Sequence, residues 1–178
     1  MIVIIFYYVC LFDCLIVCIH SSSKYNYGKT QKLRLHTSFR MLFRCGKSSR
    51  VPVMLLKSPP PDGSLRKVKF FISQPRRIAA KALVERVRSC EPDLKDKFSL
   101  RMGGGWKEYE SKETQVSFVT TGYLVRLLAN HPEKFNEMTH LVIDEVHERS
   151  VDTDLLCLLS RRLIQTNKTI RLLSLIHI

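Results

Sequence analysis

Acidic side chains are scarce in this chain. There are 16 Asp and Glu against 29 Lys and Arg, a formal net charge of +13. That balance favours a polyanionic partner, nucleic acid or an anionic membrane surface, over charge carried for solubility alone. The shortage is uneven: residues 1–60 hold nine Lys or Arg and one acid, Asp13, whereas residues 61–178 hold twenty against fifteen. No two of the six cysteines stand in a C-x-x-C spacing. Neither a zinc clamp nor a disulfide framework is indicated, and a reducing compartment, cytoplasmic or nuclear, is the simpler expectation. No basic residue precedes the apolar run over residues 1–19, which argues against a secretory signal. The run is close to the minimum for a membrane span, and Asp13 within it would cost about 2.5–3.5 kcal/mol on insertion scales. The length of 178 residues, with 45% hydrophobic and 25% charged residues, fits one globular domain.

Two stretches carry chemistry. Leu141-Val142-Ile143 runs straight into Asp144-Glu145, the pattern of a buried strand ending at a polar edge. Ligands of open parallel sheets sit just beyond the carboxyl ends of the strands, so the acid pair would stand where it can hold Mg²⁺ and orient a water. An acidic turn after an ordinary strand is the plain alternative. Upstream, Gly46-Lys47-Ser48-Ser49 matches the second half of the phosphate loop G-x-x-x-x-G-K-[ST]. A lysine, a small hydroxyl and free backbone N–H groups at a helix start suit a triphosphate. The short lysine–serine match is common by itself; the two stretches in this order are more telling.

Four stretches together carry a resemblance: Gly46-Lys47-Ser48-Ser49-Arg50-Val51-Pro52, Gln74-Pro75-Arg76-Arg77-Ile78-Ala79-Ala80, Val119-Thr120-Thr121-Gly122-Tyr123-Leu124, and Asp144-Glu145-Val146-His147-Glu148-Arg149-Ser150. In order and spacing they resemble successive motifs of the DEAH/RHA family of superfamily 2 RNA helicases, from Cys45 to about Leu173. The resemblance implies an ATP-dependent RNA helicase that couples ATP binding and hydrolysis to strand unwinding. The fold it implies is α/β, a RecA-like (P-loop NTPase) parallel sheet with helices on both faces, here incomplete. Residues 45–178 would be a partial first RecA-like domain. By the same resemblance Lys47 would hold the β- and γ-phosphates, with Gly46 and Ser49 completing the nucleotide turn. Ser48, Asp144 and Glu145 would hold Mg²⁺, Glu145 would also position the attacking water, and His147 would couple nucleotide state to strand movement. Arg76 and Arg77 would contact the RNA backbone. Thr120 and Thr121 would bond phosphate oxygens, or equally cap the helix that follows them. The implied cofactors are ATP and Mg²⁺, and the implied partners are RNA and a second RecA-like domain. The resemblance does not extend to that second domain, the source of the family's arginine fingers, so negligible hydrolysis by residues 1–178 alone is expected.

The sequence departs from the family in two places. Counting back from Gly46, the loop's first glycine falls on Met41, its inner glycine on Arg44 and its Thr or Ser on Phe43. Glycine is needed where backbone must adopt special angles and approach phosphate closely, so weak ATP binding is expected. The break between Arg44 and Cys45 is abrupt. Residues 1–44 therefore read as an apolar, then basic leader foreign to the family, either a membrane segment or, preferably, a gene-model artefact. Near the other end, Ile176-His177-Ile178 stands where the family continues to Ser-Ala-Thr. The alternative function is a non-catalytic basic RNA-binding fragment or pseudoenzyme, with residues 1–20 as a membrane tether.

The pattern also predicts elements. A helix is expected over residues 47–57, despite Pro52, with Val51, Val53, Met54, Leu55 and Leu56 as its apolar surface. A loop follows over 58–63, then a strand over 68–72. Pro75 suits the first turn of a second helix, whose Ile78, Ala82, Leu83 and Val87 would face the sheet. Gly103-Gly104-Gly105-Trp106 lacks the Lys-Ser/Thr of a nucleotide loop and reads as a turn; Trp106 and Tyr109 could stack on bases or be plain exposed aromatics. A strand over 115–119 and a helix over 123–129 come next. Ser150 should cap a last helix, with Asp152 and Asp154 in its first turn and Leu155, Leu156, Leu158, Leu159 and Leu163 buried. One more strand begins at Ile170. Strand–helix alternation of this kind argues a parallel sheet covered on both faces.

Overall fold

The computed structural model describes residues 17–19, 46–57, 67–167 and 169–175. The expected leader (apart from 17–19), the first part of the phosphate loop, the 58–63 loop and Ile176-His177-Ile178 lie outside the described residues. Among the described residues seven strands form one sheet, β1 (Val17–Ile19), β2 (Phe70–Gln74), β3 (Phe98–Arg101), β4 (Lys107–Glu108), β5 (Val116–Thr120), β6 (His140–Ile143) and β7 (Arg171–Ser174). Their spatial order is β1-β7-β6-β2-β5-β3-β4. The five middle strands are parallel, while the edge pairs β1–β7 and β3–β4 are antiparallel. An antiparallel edge on a parallel sheet is a common arrangement. The five middle strands are the parallel sheet that the sequence suggests, extended at each edge by one antiparallel strand.

Four helices cover it: α1 (Lys47–Lys57), α2 (Arg77–Cys90), α3 (Thr121–Asn130) and α4 (Val151–Thr166). Every residue of β2 and β5 is buried, as continuous apolar runs in a twice-covered sheet require. On one face Val51 of α1 and Ala80, Val84 and Val87 of α2 pack over Phe70, Ile72, Phe118 and Val142. On the other, Leu124 and Leu128 of α3 and Leu156 and Leu163 of α4 pack over Phe71, Val119, Leu141 and Ile143. Each buried Val, Leu, Ile or Phe side chain among them contributes about 1.5–3 kcal/mol.

Helix α1 has the expected bounds, with Pro52 inside. A proline there has no N–H to offer the Ser48 carbonyl, and Val51, Val53 and Leu55 offset that loss by burial. Helix α2 begins later than Pro75: Arg76 is its N-cap with extended angles, and the Arg76 carbonyl accepts the first helical bond from Ala80 N–H at 3.0 Å. Its buried stripe is Ala80, Val84 and Val87. Ile78, expected to face the sheet, is 85% exposed, Ala82 is exposed too, and Leu83 is only partly covered. Helix α4 is capped as expected, Ser150 Oγ accepting the Thr153 N–H at 3.2 Å. Its buried face is Thr153, Leu156, Ser160, Leu163 and Ile164, leaving Leu155 and Leu158 exposed. Helix α3 starts at Thr121, two residues before the expected Tyr123, directly from the end of β5.

Candidate nucleotide and nucleic-acid site

Register brings the polar residues together. Gln74, the last residue of β2, pairs with Thr120 of β5, and Ser73 pairs with Ile143 of β6. The carboxyl tips of β2, β5 and β6 therefore present Gln74, Thr120 and Asp144 along one edge. Asp144 is only 5% exposed. Its backbone N–H donates to the Ser73 carbonyl at 3.2 Å, its Oδ1 accepts from the Glu145 N–H at 2.9 Å, and its Oδ2 accepts from Gln74 Nε2. A buried carboxylate requires such donors, because losing water without them costs several kcal/mol. Gln74 is a neighbour of the acid pair that the order of residues alone does not reveal. The signal for it was a polar side chain ending an otherwise apolar strand.

The chain turns sharply after Asp144. Glu145 has φ 53° and ψ 37°, and Arg149 has φ 49° and ψ 39°, so a single turn from Val146 to Glu148 is bracketed by two left-handed residues. Each such residue other than glycine stores about 1–3 kcal/mol, a cost tolerated where a side chain must be aimed. Within the turn His147 Nδ1 lies 3.3 Å from Glu145 Oε2. Arg149 pairs with Asp154 at 3.0 Å. Arg76 Nη2 reaches across from the tip of β2 to Glu148 Oε1 at 3.0 Å. That contact joins the arginine motif to the acidic motif, a link that spacing along the chain does not reveal.

Gly46 has φ +68°, a left-handed angle that glycine adopts without strain, and a Cβ there would come within 2.9 Å of Ser49 Oγ. The Gly46 carbonyl accepts the Ser49 N–H at 3.0 Å, the Arg50 N–H at 2.8 Å and the Ser49 hydroxyl at 2.9 Å. Ser49 thereby spends its proton on the turn. Lys47 and Ser48 are the first two residues of α1. Arg76 and Arg77 are exposed at the start of α2, while Thr120 and Thr121 are buried. Thr120 occupies the N-cap position of α3 but makes no side-chain capping bond. Among the described residues no group of three or more His, Cys, Asp or Glu is arranged to hold a metal. No helix among them is long and apolar enough to cross a membrane.

No family model matches the chain. Curated relatives do. The probable ATP-dependent RNA helicase spindle-E of Anopheles gambiae is 32% identical over 172 residues, covering 85% of this chain and 11% of its own length. ATP-dependent RNA helicase DHX30 of Homo sapiens is 34% identical over 131 residues, covering 72% of this chain and 11% of its own length. Among solved structures, the Escherichia coli DEAH/RHA helicase HrpB aligns with a TM-score of 0.62 at 28% identity, over 75% of this chain and 16% of that one. The chain is a DEAH/RHA helicase homologue. It spans about a tenth of the length of the curated relatives it matches (11% for both). The sheet with helices on both faces is the RecA-like fold of such helicases, and the DEAH/RHA acid pair sits at its strand tips.

Proposed function

We propose that this DEAH/RHA-type domain is the nucleotide- and RNA-binding first RecA-like domain, residues 45–178, of an ATP-dependent RNA helicase. The observation that carries the proposal is the buried Asp144 carboxylate at the tip of β6, oriented by Gln74 Nε2 and the Glu145 N–H. A carboxylate desolvated and aimed in this way suits a hard cation.

The donor set fits Mg²⁺ and a triphosphate. Mg²⁺ at nucleotide sites takes one or two carboxylates plus phosphate oxygens and water, so no larger protein cluster is needed. Gly46 supplies a left-handed turn with no side chain in the way, and α1 begins directly after it. In the proposed roles, Lys47 holds the β- and γ-phosphates, and Ser48 with Asp144 holds the cation. Glu145, in the left-handed turn that follows the strand, orients the attacking water and takes up its proton. Bound Mg²⁺-ATP would supply the transferable phosphoryl group and the charge neutralisation that makes its departure feasible. His147, in contact with Glu145 at 3.3 Å, couples nucleotide state to strand movement.

On the nucleic-acid side, Arg76 and Arg77 neutralise backbone phosphates irrespective of base. Thr120 and Thr121 are buried, which favours a packing role at the tip of β5 over a direct phosphate contact. The Arg76–Glu148 pair joins the arginine motif to the acidic motif, which supports a reading in which RNA and nucleotide influence one another. The substitutions Met41, Phe43 and Arg44 in the phosphate loop favour weak nucleotide binding by this chain and keep the second function, non-catalytic RNA binding, in view.

The test is binding of a labelled single-stranded RNA by the full chain, followed by anisotropy across a salt series, with ATP turnover measured in parallel. RNA binding that weakens with salt, with Arg76→Ala/Arg77→Ala lowering the salt slope by about 0.7 per lost phosphate contact, is the expected result, without appreciable turnover. RNA-independent behaviour of the arginine substitutions would remove the proposed nucleic-acid role. Robust RNA-stimulated turnover by this chain alone would contradict the need for a second domain.

A further inference from the structure

The hairpin between β3 and β4 is not absorbed by the proposed site. Met102 N–H donates to the Trp106 carbonyl at 2.9 Å and closes a turn over residues 103–105. Gly104 and Gly105 have φ +83° and +80°, and a Cβ at either would meet nothing within 4 Å. The turn thus projects into open space. Trp106 is 56% exposed, yet it is not loose, because its Nε1–H donates to Glu108 Oε1 at 2.9 Å. Glu108 is held in turn by Lys81 Nζ of α2 at 3.3 Å. An exposed indole pinned by its one polar atom presents ring surface at little entropic cost. Tyr109 differs: the Arg88 guanidinium covers its ring at 4.3 Å. Among the described residues no ring or guanidinium lies over Trp106.

Position and charge say what would cover it. β3 runs parallel to β5, so the hairpin turn leaves the sheet at the same edge as Gln74, Thr120 and Asp144. Between β3 and β2 lies only β5, a separation of about 10 Å. Arg77 stands beside the turn, its Nη2 3.9 Å from where a Gly103 Cβ would be. At that edge Arg76 and Arg77 open α2, and Arg101 and Lys107 flank the turn. A basic edge ending in an available aromatic face is the combination that binds single-stranded nucleic acid, the cations tracking phosphates and the ring stacking on a base.

We propose that Trp106 is a base-stacking platform for single-stranded RNA, extending the track that begins at Arg76 and Arg77. This rests on the nucleic-acid reading of that edge, and the test separates the two. Trp106 is the sole tryptophan of the chain, so its fluorescence reports on this ring alone. An oligouridine should quench it, with a midpoint equal to that from anisotropy of the labelled oligonucleotide. Heparin, a polyanion without bases, should bind the same basic edge without quenching. Trp106→Ala should weaken oligouridine binding about 5- to 150-fold, the range of one lost stack, while Trp106→Phe keeps most of the affinity. Oligouridine that binds by anisotropy while leaving fluorescence and the Trp106→Ala affinity unchanged overturns the stacking platform and spares the nucleic-acid reading. Quenching by heparin equal to that by oligouridine also overturns it. Absence of oligouridine binding by every measure overturns both.

Discussion

The contact between Gln74 and Asp144 can be isolated by a double-mutant cycle. Both side chains are buried, at 2% and 5% exposure, and they belong to adjacent strands 70 residues apart in sequence. A hydrogen bond to a charged group is worth about 1.5–3 kcal/mol net, and a buried partner left unsatisfied forfeits its desolvation cost as well. Gln74→Met keeps the volume and removes the donor; Asp144→Ala removes the acceptor. Each alone should lower unfolding free energy by at least about 1.5 kcal/mol, roughly a tenfold shift toward the unfolded state. The double variant should lose less than the sum, by about 1.5–3 kcal/mol, because the cavity and the lost Glu145 N–H contact cancel around the cycle. Urea unfolding monitored by circular dichroism gives all four free energies, with unchanged m-values certifying the comparison. Additivity within about 0.5 kcal/mol would mean that the carboxylate is not oriented by Gln74, and the description of the strand tip would fail.

Three further outcomes follow from the same structure. Phe118→Ala, at a fully buried ring on the interior strand β5 beside Phe98, should cost about 3–5 kcal/mol in urea unfolding; a loss of about 0.5 kcal/mol or less, as at an exposed site, would contradict its place in the core. Ser150→Ala, which removes the cap on the Thr153 N–H, should cost about 1 kcal/mol in the same assay, with Ser150→Asp close to neutral. Burial, aided by the nearby Asp154 charge, pushes the Cys157 thiol up, whereas Cys90 is exposed. Less Cys157 thiolate forms in mildly alkaline solution, so peptide mapping should find Cys90 alkylated ahead of Cys157. Equal rates in the folded chain would contradict the packing of α4.

What could be read from residues in order was what depends on neighbours in order. Helix α1 begins at Lys47 and ends at Lys57 as its pattern indicates, and Ser150 caps α4 because a hydroxyl before an acid-rich first turn is a local signal. The helix faces were harder. Ile78 lies two residues from Ala80, about 160° round the helix, so the two cannot share a face; the chain buries Ala80, Val84 and Val87 and leaves Ile78 in solvent. In α4 a run rich in leucine hides the phase, since the buried stripe includes Thr153 and Ser160 while Leu155 and Leu158 point outward. Apolar count alone cannot fix the phase of such a helix. The late start of α2 has a similar origin: Pro75 tolerates several positions near a helix start, and the extended angles of Arg76 decide among them.

The site divides the same way. That the acid pair ends a strand and the lysine–serine turn opens a helix was legible, because each is a short contiguous pattern. The Gln74–Asp144 and Arg76–Glu148 contacts were not, because register between β2 and β6 creates them. The burial of Thr120 and Thr121 was hidden for the opposite reason: hydroxyls at a strand end look available until the neighbouring strands and α3 are in place. The antiparallel edges β1 and β4 likewise come from pairing over distances that alternation of strands and helices does not encode.

Lys47 and Asp144 are proposed to serve one magnesium-nucleotide site. The most direct measurement restores the phosphate loop in the full chain by Met41→Gly, Phe43→Thr and Arg44→Gly, and follows Mg²⁺-ATP binding by calorimetry. The repaired chain should bind at least about tenfold more tightly, near 1.4 kcal/mol or more, and lose that gain when either Lys47→Ala or Asp144→Ala is added or Mg²⁺ is withheld. A gain that survives both substitutions, or a repaired loop that binds no better than the present one, would contradict a shared site for the turn and the acid pair.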